Sequence, residues 1–181
     1  MSNYLISNYN QLLGIQGQRI AFFPGTFDPI HDGHVAVIEY ALRHYVDCIL
    51  ICVHSHNRKK HNLMNPIKLR VEMILRLLLS RAQNDVFVID PDYIHGIEND
   101  RFIKIARELI TTKRTRIFIL RGQDSLLGRI HYPLHMFDHL IHNRGGKEIR
   151  LDINFNHSTK VIRFNHISNA SSTEVKKQLS N

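Results

Sequence analysis

The stretch from Phe23 to His34 reads FPGTFDPIHDGH, and it decides the fold because it joins two segments of different periodicity. Before it, the short apolar run Arg19 to Pro24 is typical of a buried strand. After it, Gly33 to Tyr45 places apolar residues at helical spacing. The sequence therefore predicts a strand, a tight turn and a helix in direct succession.

The same alternation of strand and helix continues toward the C-terminus. Alternating elements, with strands that are apolar throughout, predict an α/β protein with a Rossmann-like, doubly wound, mainly parallel sheet in a single domain, 19–181, behind an N-terminal extension, 1–18. Further strands are predicted over 48–53, 86–90, 116–120, 139–142 and 160–164, and helices over 9–13, 66–81, 101–111, 125–130, 134–137 and 172–179.

Length and composition restrict the class of protein. The 181 residues suit one domain with a sizeable core. No apolar run approaches the roughly 18 residues of a membrane span, and residues 1–18 lack the order of a signal peptide. Cys48 and Cys52 share one predicted strand, about 13 Å apart, which is too far for a disulfide. A cytoplasmic protein with buried thiols is expected.

The net charge of +8 favours anionic partners. Lysines and arginines are scattered, with no block of five, so nucleic acid is an unlikely partner and small phosphate compounds are favoured. Thirteen histidines raise the question of zinc, and His31 and His34 share a helix face. No carboxylate or cysteine completes a zinc-ligand set with them, so no protein metal site is predicted.

The turn after the first predicted strand suits a phosphate. Gly25 lets the chain turn and lets a ligand approach the backbone, and Gly33 does the same at the helix start. The helix N-terminus offers free N–H groups and a positive dipole end, to which His31 and His34 add donors. The glycine and lysine spacings of a P-loop or a dinucleotide fingerprint are absent. In a parallel sheet, the segments 25–34, 54–61, 122–124 and 142–146 would surround one crevice.

The decapeptide GTFDPIHDGH at 25–34 closely resembles the GTFDPxHxGH signature of nucleotidyltransferases related to class I aminoacyl-tRNA synthetases. With histidine at 31 and proline at 29, it looks most like the bacterial nicotinate-mononucleotide adenylyltransferases. Phosphopantetheine adenylyltransferases usually have threonine in place of His31, and cytidylyltransferases usually have leucine in place of Pro29. Residues 19–181 are accordingly identified as a nucleotidyltransferase domain.

The sequence ASSTEVK at 170–176 resembles the second signature of the superfamily, close to ISSTxIR. From the residues alone it is a capping box at the start of the last helix. Two departures stand out: Ala170 replaces isoleucine, and the arginine is replaced by a lysine, which keeps the charge and loses the planar fork. The resemblance implies that the outer phosphates of ATP are bound by Ser171, Ser172, Thr173 and Lys176.

Other segments between the two signatures also resemble the family. The basic loop SHNRKK at 55–60 and Arg70 after it resemble the segment that binds acceptor and triphosphate. The strand-and-turn FILRGQDSL at 118–126 resembles GxDxL, and HNRGG at 142–146 resembles a strand followed by arginine. The tryptophan expected after GxDxL is missing, and the SYTxDT segment is barely visible at 97–100. Both departures lie on the acceptor side.

The resemblance implies transfer of AMP from ATP to nicotinate mononucleotide, with release of pyrophosphate and formation of deamido-NAD in NAD biosynthesis. Mg²⁺ would enter with ATP. The acceptor oxygen is already anionic, so catalysis would rest on positioning and charge stabilisation. The catalytic residues implied are His31, His34, Lys59 and Lys60. ATP would be bound by Gly25, Thr26, Phe27, Gly33, Gly122 and Asp124, together with the C-terminal group, and the acceptor by Arg70 and Arg144.

Two alternatives stay open. One is another transferase of the superfamily, chiefly phosphopantetheine adenylyltransferase. The other is a nucleotide-binding or RNA-associated protein that kept the fold and lost turnover, as the lysine in the second signature would allow. The oligomeric state does not follow from the sequence.

Overall fold

Seven parallel strands form one sheet in the computed structural model of the chain, which describes residues 2–15, 18–54, 65–94, 100–123, 137–144 and 160–166. Every strand pairing in this sheet is parallel, which confirms the predicted α/β fold. The strands are β1 (Leu5–Ile6), β2 (Arg19–Gly25), β3 (Cys48–Val53), β4 (Val86–Ile89), β5 (Arg116–Gly122), β6 (Asp138–Arg144) and β7 (Val161–His166).

Helices cover both faces of the sheet. Successive residues of a strand point to opposite faces, so β2 supplies both cores. Phe23 packs in a cluster with residues of α2 and α3, whereas Phe22 packs in a second cluster with residues of α1 and α5. The helices of the described residues are α1 (Tyr9–Gly14), α2 (Asp32–His44), α3 (Ile67–Ser80), α4 (Pro91–Ile94) and α5 (Asp100–Lys113), after a 3-10 turn at Ser2–Tyr4.

The strand order is β1-β4-β3-β2-β5-β6-β7, so the direction of winding changes at β2. The chain runs outward from β2 through β3 to β4 and then returns to β5 on the other side of β2. Pairing between β2 and β5 runs from Arg19↔Arg116 to Phe22↔Ile119, and both strands continue three residues further, to Gly25 and Gly122. The carboxyl ends of β2 and β5 therefore flank the switch point at which such sheets bind ligands.

The segment predicted as an N-terminal extension is packed onto the domain. β1 pairs with β4, and Ile6, Leu12 and Ile15 are buried in the second cluster. The predicted helix over 9–13 is confirmed as α1, whereas β1 and α4 were not predicted. The helices predicted over 125–130 and 172–179 lie outside the described residues, as does all of 134–137 except Phe137.

Cys48 and Cys52 are free and buried, as predicted, and burial raises the pKa of the Cys52 thiol well above its ordinary value. Among the described residues, no helix combines the length and the apolar character that a membrane span requires.

Asp47 fixes the start of β2 from the turn before β3. Its carboxylate accepts from Arg19 Nη2 at 2.6 Å and from the backbone N–H groups of Gln18 and Arg19 at 3.0 and 2.9 Å. The bond from the Arg19 side chain is the main reason that the pKa of Asp47 lies below its ordinary value. A carboxyl with a lowered pKa stabilises the fold above its unfolded pKa, and this stability is lost as pH falls through the folded value.

We therefore expect the melting temperature of the wild type to fall on acidification below about pH 4, and to fall less steeply in Asp47→Asn. Thermal unfolding of both proteins between pH 7 and pH 3 measures this difference. Parallel curves for the two proteins would mean that Asp47 makes no pH-dependent contribution to stability.

Candidate active site

The motif loop, residues Gly25–His34, connects the end of β2 to the start of α2. Its first residue has to be glycine because a Cβ there would lie 2.8 Å from two carbons of the Phe27 ring. The Gly25 carbonyl also accepts a bond from the backbone N–H of His54 at 2.9 Å, which continues the β2–β3 ladder beyond its last strand residue. The motif loop thus leaves the sheet in close contact with the segment that follows β3.

Phe27 is turned inward beneath the motif loop. Its backbone has φ 48°, in the left-handed region that disfavours large side chains, and its side chain is only 2% exposed. The ring packs edge-on against Phe23, with centroids 5.2 Å apart, and against His34 at 5.0 Å. Phe27 therefore supports His34 from below. Its predicted contact with ATP would have to come from the backbone.

Two histidines cap the N-terminus of α2 reciprocally. His31 Nδ1 accepts the backbone N–H of Gly33 at 3.1 Å, and His34 Nδ1 accepts the backbone N–H of His31 at 3.3 Å. The two rings lie side by side, with centroids 3.9 Å apart. This is a capping box in which imidazoles replace the usual hydroxyl and carboxylate.

The capping bonds assign the tautomer of both rings. A neutral imidazole has one donor and one acceptor nitrogen, so a ring that accepts through Nδ1 carries its proton on Nε2. His31 and His34 thus have Nε2–H donors within one turn of the helix, where the positive end of the helix dipole also favours an anion. Here the structure brings together the predicted residues Gly25, Thr26, Phe27, His31, Gly33 and His34.

A buried charged network lies under the motif loop. Asp28 is 1% exposed and accepts from the Asn65 backbone N–H at 3.2 Å and from Asn65 Nδ2 at 2.6 Å. Arg70, also 1% exposed, donates to the carbonyls of Asn65, Thr26 and His54. Burial lowers the pKa of Arg70 and the neighbouring charge of Asp28 acts in the opposite direction. The contacts of Arg70 are thus to backbone, and its predicted contact with the acceptor stays a prediction.

Buried polar residues also collect at the carboxyl ends of β5 and β6. Gly122 of β5 pairs with His142 of β6, whose ring lies edge-on to Phe23 of β2 at 6.4 Å. Polar residues interrupt the apolar pattern of both strands at these ends, a signal that the sequence prediction did not use. The buried members are Arg121, Gln123, His142 and Asn143.

The remaining predicted residues divide into two groups. Gly122 and Arg144 are the last residues of β5 and β6, on the carboxyl side of the sheet. Those outside the described residues are Lys59, Lys60, Asp124, Ser171, Ser172, Thr173 and Lys176. Asp28 and Asn65 were not predicted, although the polar Asn-Pro pair that precedes α3 is visible in the sequence.

Solved structures with the same fold include the Plasmodium falciparum nicotinic acid mononucleotide adenylyltransferase, with a TM-score of 0.63, 16% identity and coverage of 88% of this chain and 83% of that one. A putative nicotinate-nucleotide adenylyltransferase from Vibrio parahaemolyticus gives a TM-score of 0.54 at 14% identity and covers 90% and 80%. At these identities the likeness establishes the fold alone.

Similar sequences among curated proteins include phosphopantetheine adenylyltransferases. That of Geobacter sulfurreducens is 41% identical over 91 residues, 50% of this chain and 54% of the relative. That of Lactococcus lactis strain IL1403 is 33% identical over 120 residues, 66% and 64%. The chain spans about half the length of the curated relatives that it matches.

The family comparison covers most of the chain. The model described as cytidylyltransferase-like matches residues 22–178, from the middle of β2 to beyond β7. This range includes the motif loop, the β2–β5 switch point and the segment that resembles the second signature. The chain therefore belongs to the cytidylyltransferase-like family.

Proposed function

We propose that the chain transfers an adenylyl group from ATP to the phosphate of a small acceptor. The observation that carries this proposal is the reciprocal cap in which His31 and His34 accept through Nδ1 at the N-terminus of α2, beside the switch point of the sheet. An acceptor phosphate oxygen attacks the α-phosphorus of ATP, the bond from that phosphorus to the bridging oxygen breaks, and pyrophosphate leaves. No protein base is required because the attacking oxygen is already an anion.

The residues of the site have separate roles in this reaction. Both histidines donate through Nε2 to phosphate oxygens whose negative charge grows in the transition state, which is the usual source of electrostatic catalysis. The backbone of Gly25 and Gly33 lets the phosphates approach closely. Lys59 and Lys60 act from the basic segment 55–60, which follows β3 in the sequence. Ser171, Ser172, Thr173 and Lys176 bind the outer phosphates, and Gly122 and Asp124 the nucleoside.

Mg²⁺ would enter this site with ATP. The described residues contain no group of three histidine, cysteine, aspartate or glutamate side chains that could hold a metal. Asp28 accepts two bonds from Asn65, and Asp32 pairs with Arg81 at 2.9 Å. Mg²⁺ commonly keeps several waters and binds through substrate phosphates, so it would supply charge neutralisation there without a dedicated protein cage.

Phosphopantetheine is the first candidate acceptor. The relatives at 33–41% identity are phosphopantetheine adenylyltransferases. Histidine at position 31 resembles the nicotinate-mononucleotide enzymes, because the phosphopantetheine enzymes usually have threonine there. In the structure His31 caps α2 through Nδ1, and a threonine hydroxyl can accept the same backbone bond. The exchange of histidine for threonine thus leaves the cap intact and says little about the acceptor.

Nicotinate mononucleotide is the second candidate. The positions of Gly122 at the end of β5 and of Arg144 at the end of β6 fit the resemblance to the nicotinate-mononucleotide enzymes. Arg144 could bind a carboxylate or a phosphate through two parallel bonds. The resemblance assigns Arg144 to the acceptor, and this is what supports the second candidate.

The test measures pyrophosphate release from ATP with phosphopantetheine, nicotinate mononucleotide and nicotinamide mononucleotide under one set of conditions. We expect turnover with one phosphorylated acceptor and the highest kcat/KM with phosphopantetheine. A clear preference for nicotinate mononucleotide would keep the reaction and exchange the two candidates. ATP binding without pyrophosphate release for any acceptor would contradict the enzyme and favour a nucleotide-binding protein.

A further inference from the structure

We propose that Arg70 is a positioning residue and does not bind the acceptor. It fixes the distance between the motif loop, at Thr26, and the segment that begins at His54 after β3. This inference rests on the proposed function, because these are the two loops that would carry the catalytic histidines and lysines. It comes from the three backbone carbonyls to which one buried guanidinium donates.

The three carbonyls belong to three separate segments. Nη1 donates to Thr26 O in the motif loop at 2.6 Å and to His54 O, directly after β3, at 2.9 Å. Nε donates at 2.9 Å to Asn65 O, just before α3. A single nitrogen therefore holds the two loops together at the point where they leave the sheet.

The two bonds from Arg70 Nη1 hold the backbone together just beyond the last backbone hydrogen bond between β2 and β3. The last β2–β3 contact is the bond from His54 N–H to the Gly25 carbonyl. The next carbonyl after each of the two strands, Thr26 O after β2 and His54 O after β3, accepts from the Arg70 side chain and not from a partner strand. Without Arg70 the motif loop and the segment that begins at His54 would lose the side chain that joins them at these two carbonyls.

Asp28 makes the burial of this charge tolerable. A buried guanidinium is costly unless a counterion and hydrogen-bond acceptors compensate for lost hydration. Asp28 supplies the negative charge, and Asn65 holds that carboxylate with two bonds. Asn65 also receives the Arg70 Nε bond on its carbonyl. Asp28, Asn65 and Arg70 thus form one network that joins the motif loop to α3.

Lysine cannot replace arginine in this arrangement. An ammonium keeps the charge near Asp28, but it is a compact point donor and lacks the planar fork that spans three fixed carbonyls. Arg70→Lys therefore keeps the charge and removes the geometry, whereas Arg70→Met removes both. Arg76 is the matched control: it lies on the same helix, α3, is exposed, and pairs with Glu72 at 2.6 Å.

The experiment compares Arg70→Lys and Arg70→Met with Arg76→Lys and Arg76→Met. It records kcat, KM for ATP and KM for the acceptor, and the amide hydrogen exchange of residues 25–34. We expect Arg70→Lys to lower kcat about 10-fold to 10²-fold without a selective rise in acceptor KM, since small misplacements of reacting groups have effects of that size. Exchange in the motif loop should rise. The Arg76 variants should match the wild type.

The opposite pattern would overturn the inference. A selective rise in acceptor KM with unchanged exchange in residues 25–34 would make Arg70 an acceptor-binding residue. Should Arg70→Met fail to fold, Arg70→Lys still decides. If the wild type shows no adenylyl transfer, the proposed function has failed, and the exchange comparison alone then decides whether Arg70 holds the motif loop in place.

Discussion

His34→Ala is expected to lower kcat by about 10² to 10³, because it removes one N–H donor from the transition state of the proposed reaction. The capping geometry identifies which nitrogen of His34 is lost as a donor. His34 Nδ1 is occupied by the His31 N–H, so in the proposed reaction Nε2 is the nitrogen that would donate to the phosphates. Steady-state kinetics with ATP and the preferred acceptor measure the effect. Turnover close to the wild-type value would remove His34 from the mechanism.

His34→Gln separates catalysis from capping. Glutamine at this helix position can accept the His31 N–H in the same reciprocal way, so the helix start is kept. We expect His34→Gln to unfold at nearly the wild-type temperature and still to lose turnover, whereas His34→Ala also loses on the order of 1 kcal/mol of stability with the hydrogen bond. Equal turnover in His34→Gln and the wild type would show that only the cap matters.

Phe27→Ala is expected to lower the free energy of unfolding by about 3–5 kcal/mol, as for other large buried aromatic side chains. The ring is 2% exposed and contacts Gly25, Phe23 and His34, so its removal leaves a cavity directly under the motif loop. Gly25→Ala should cost about 1–3 kcal/mol for the opposite reason, since its methyl group overlaps the same ring. Denaturant unfolding of both variants gives these values.

The two substitutions should couple strongly. In the Phe27→Ala background the ring that collides with a Cβ at position 25 is gone, so Gly25→Ala should cost much less there than in the wild type. A double-mutant cycle measures this difference, which we expect to exceed about 1 kcal/mol. Additive effects would mean that Gly25 is needed for its backbone and not for the approach of the Phe27 ring.

Periodicity predicted most of the sheet correctly and missed its smallest parts. The apolar runs of β2 and β3 are long enough to be identified as buried strands, and the spacing of α2 is clearly helical. β1 has two residues and α4 has four, which is too short for any period to be recognised. Their existence depends on tertiary contacts, such as the pairing of β1 with β4.

The candidate site was predicted by residue type better than by role. The motif loop and its two histidines follow from the sequence, but the inward turn of Phe27 depends on a left-handed backbone that no local pattern indicates. Arg70 is separated along the chain by 44 residues from Thr26 and by 16 from His54. A prediction from sequence treats its positive charge as available to a ligand, because the carbonyls that receive it come close only in the folded chain.

β1 bears on how the chain emerges from synthesis. It is the outermost strand beside β4, and Ser7, just after it, donates at 3.3 Å to Asp90, 83 residues further along. An uncovered strand edge exposes unpaired N–H and C=O groups that can pair with another chain. During synthesis β1 is made well before β4. It is therefore available to pair with the edge of β4 as soon as that strand forms. A shortened N-terminus would leave β4 as the open border of the sheet and a template for association between molecules.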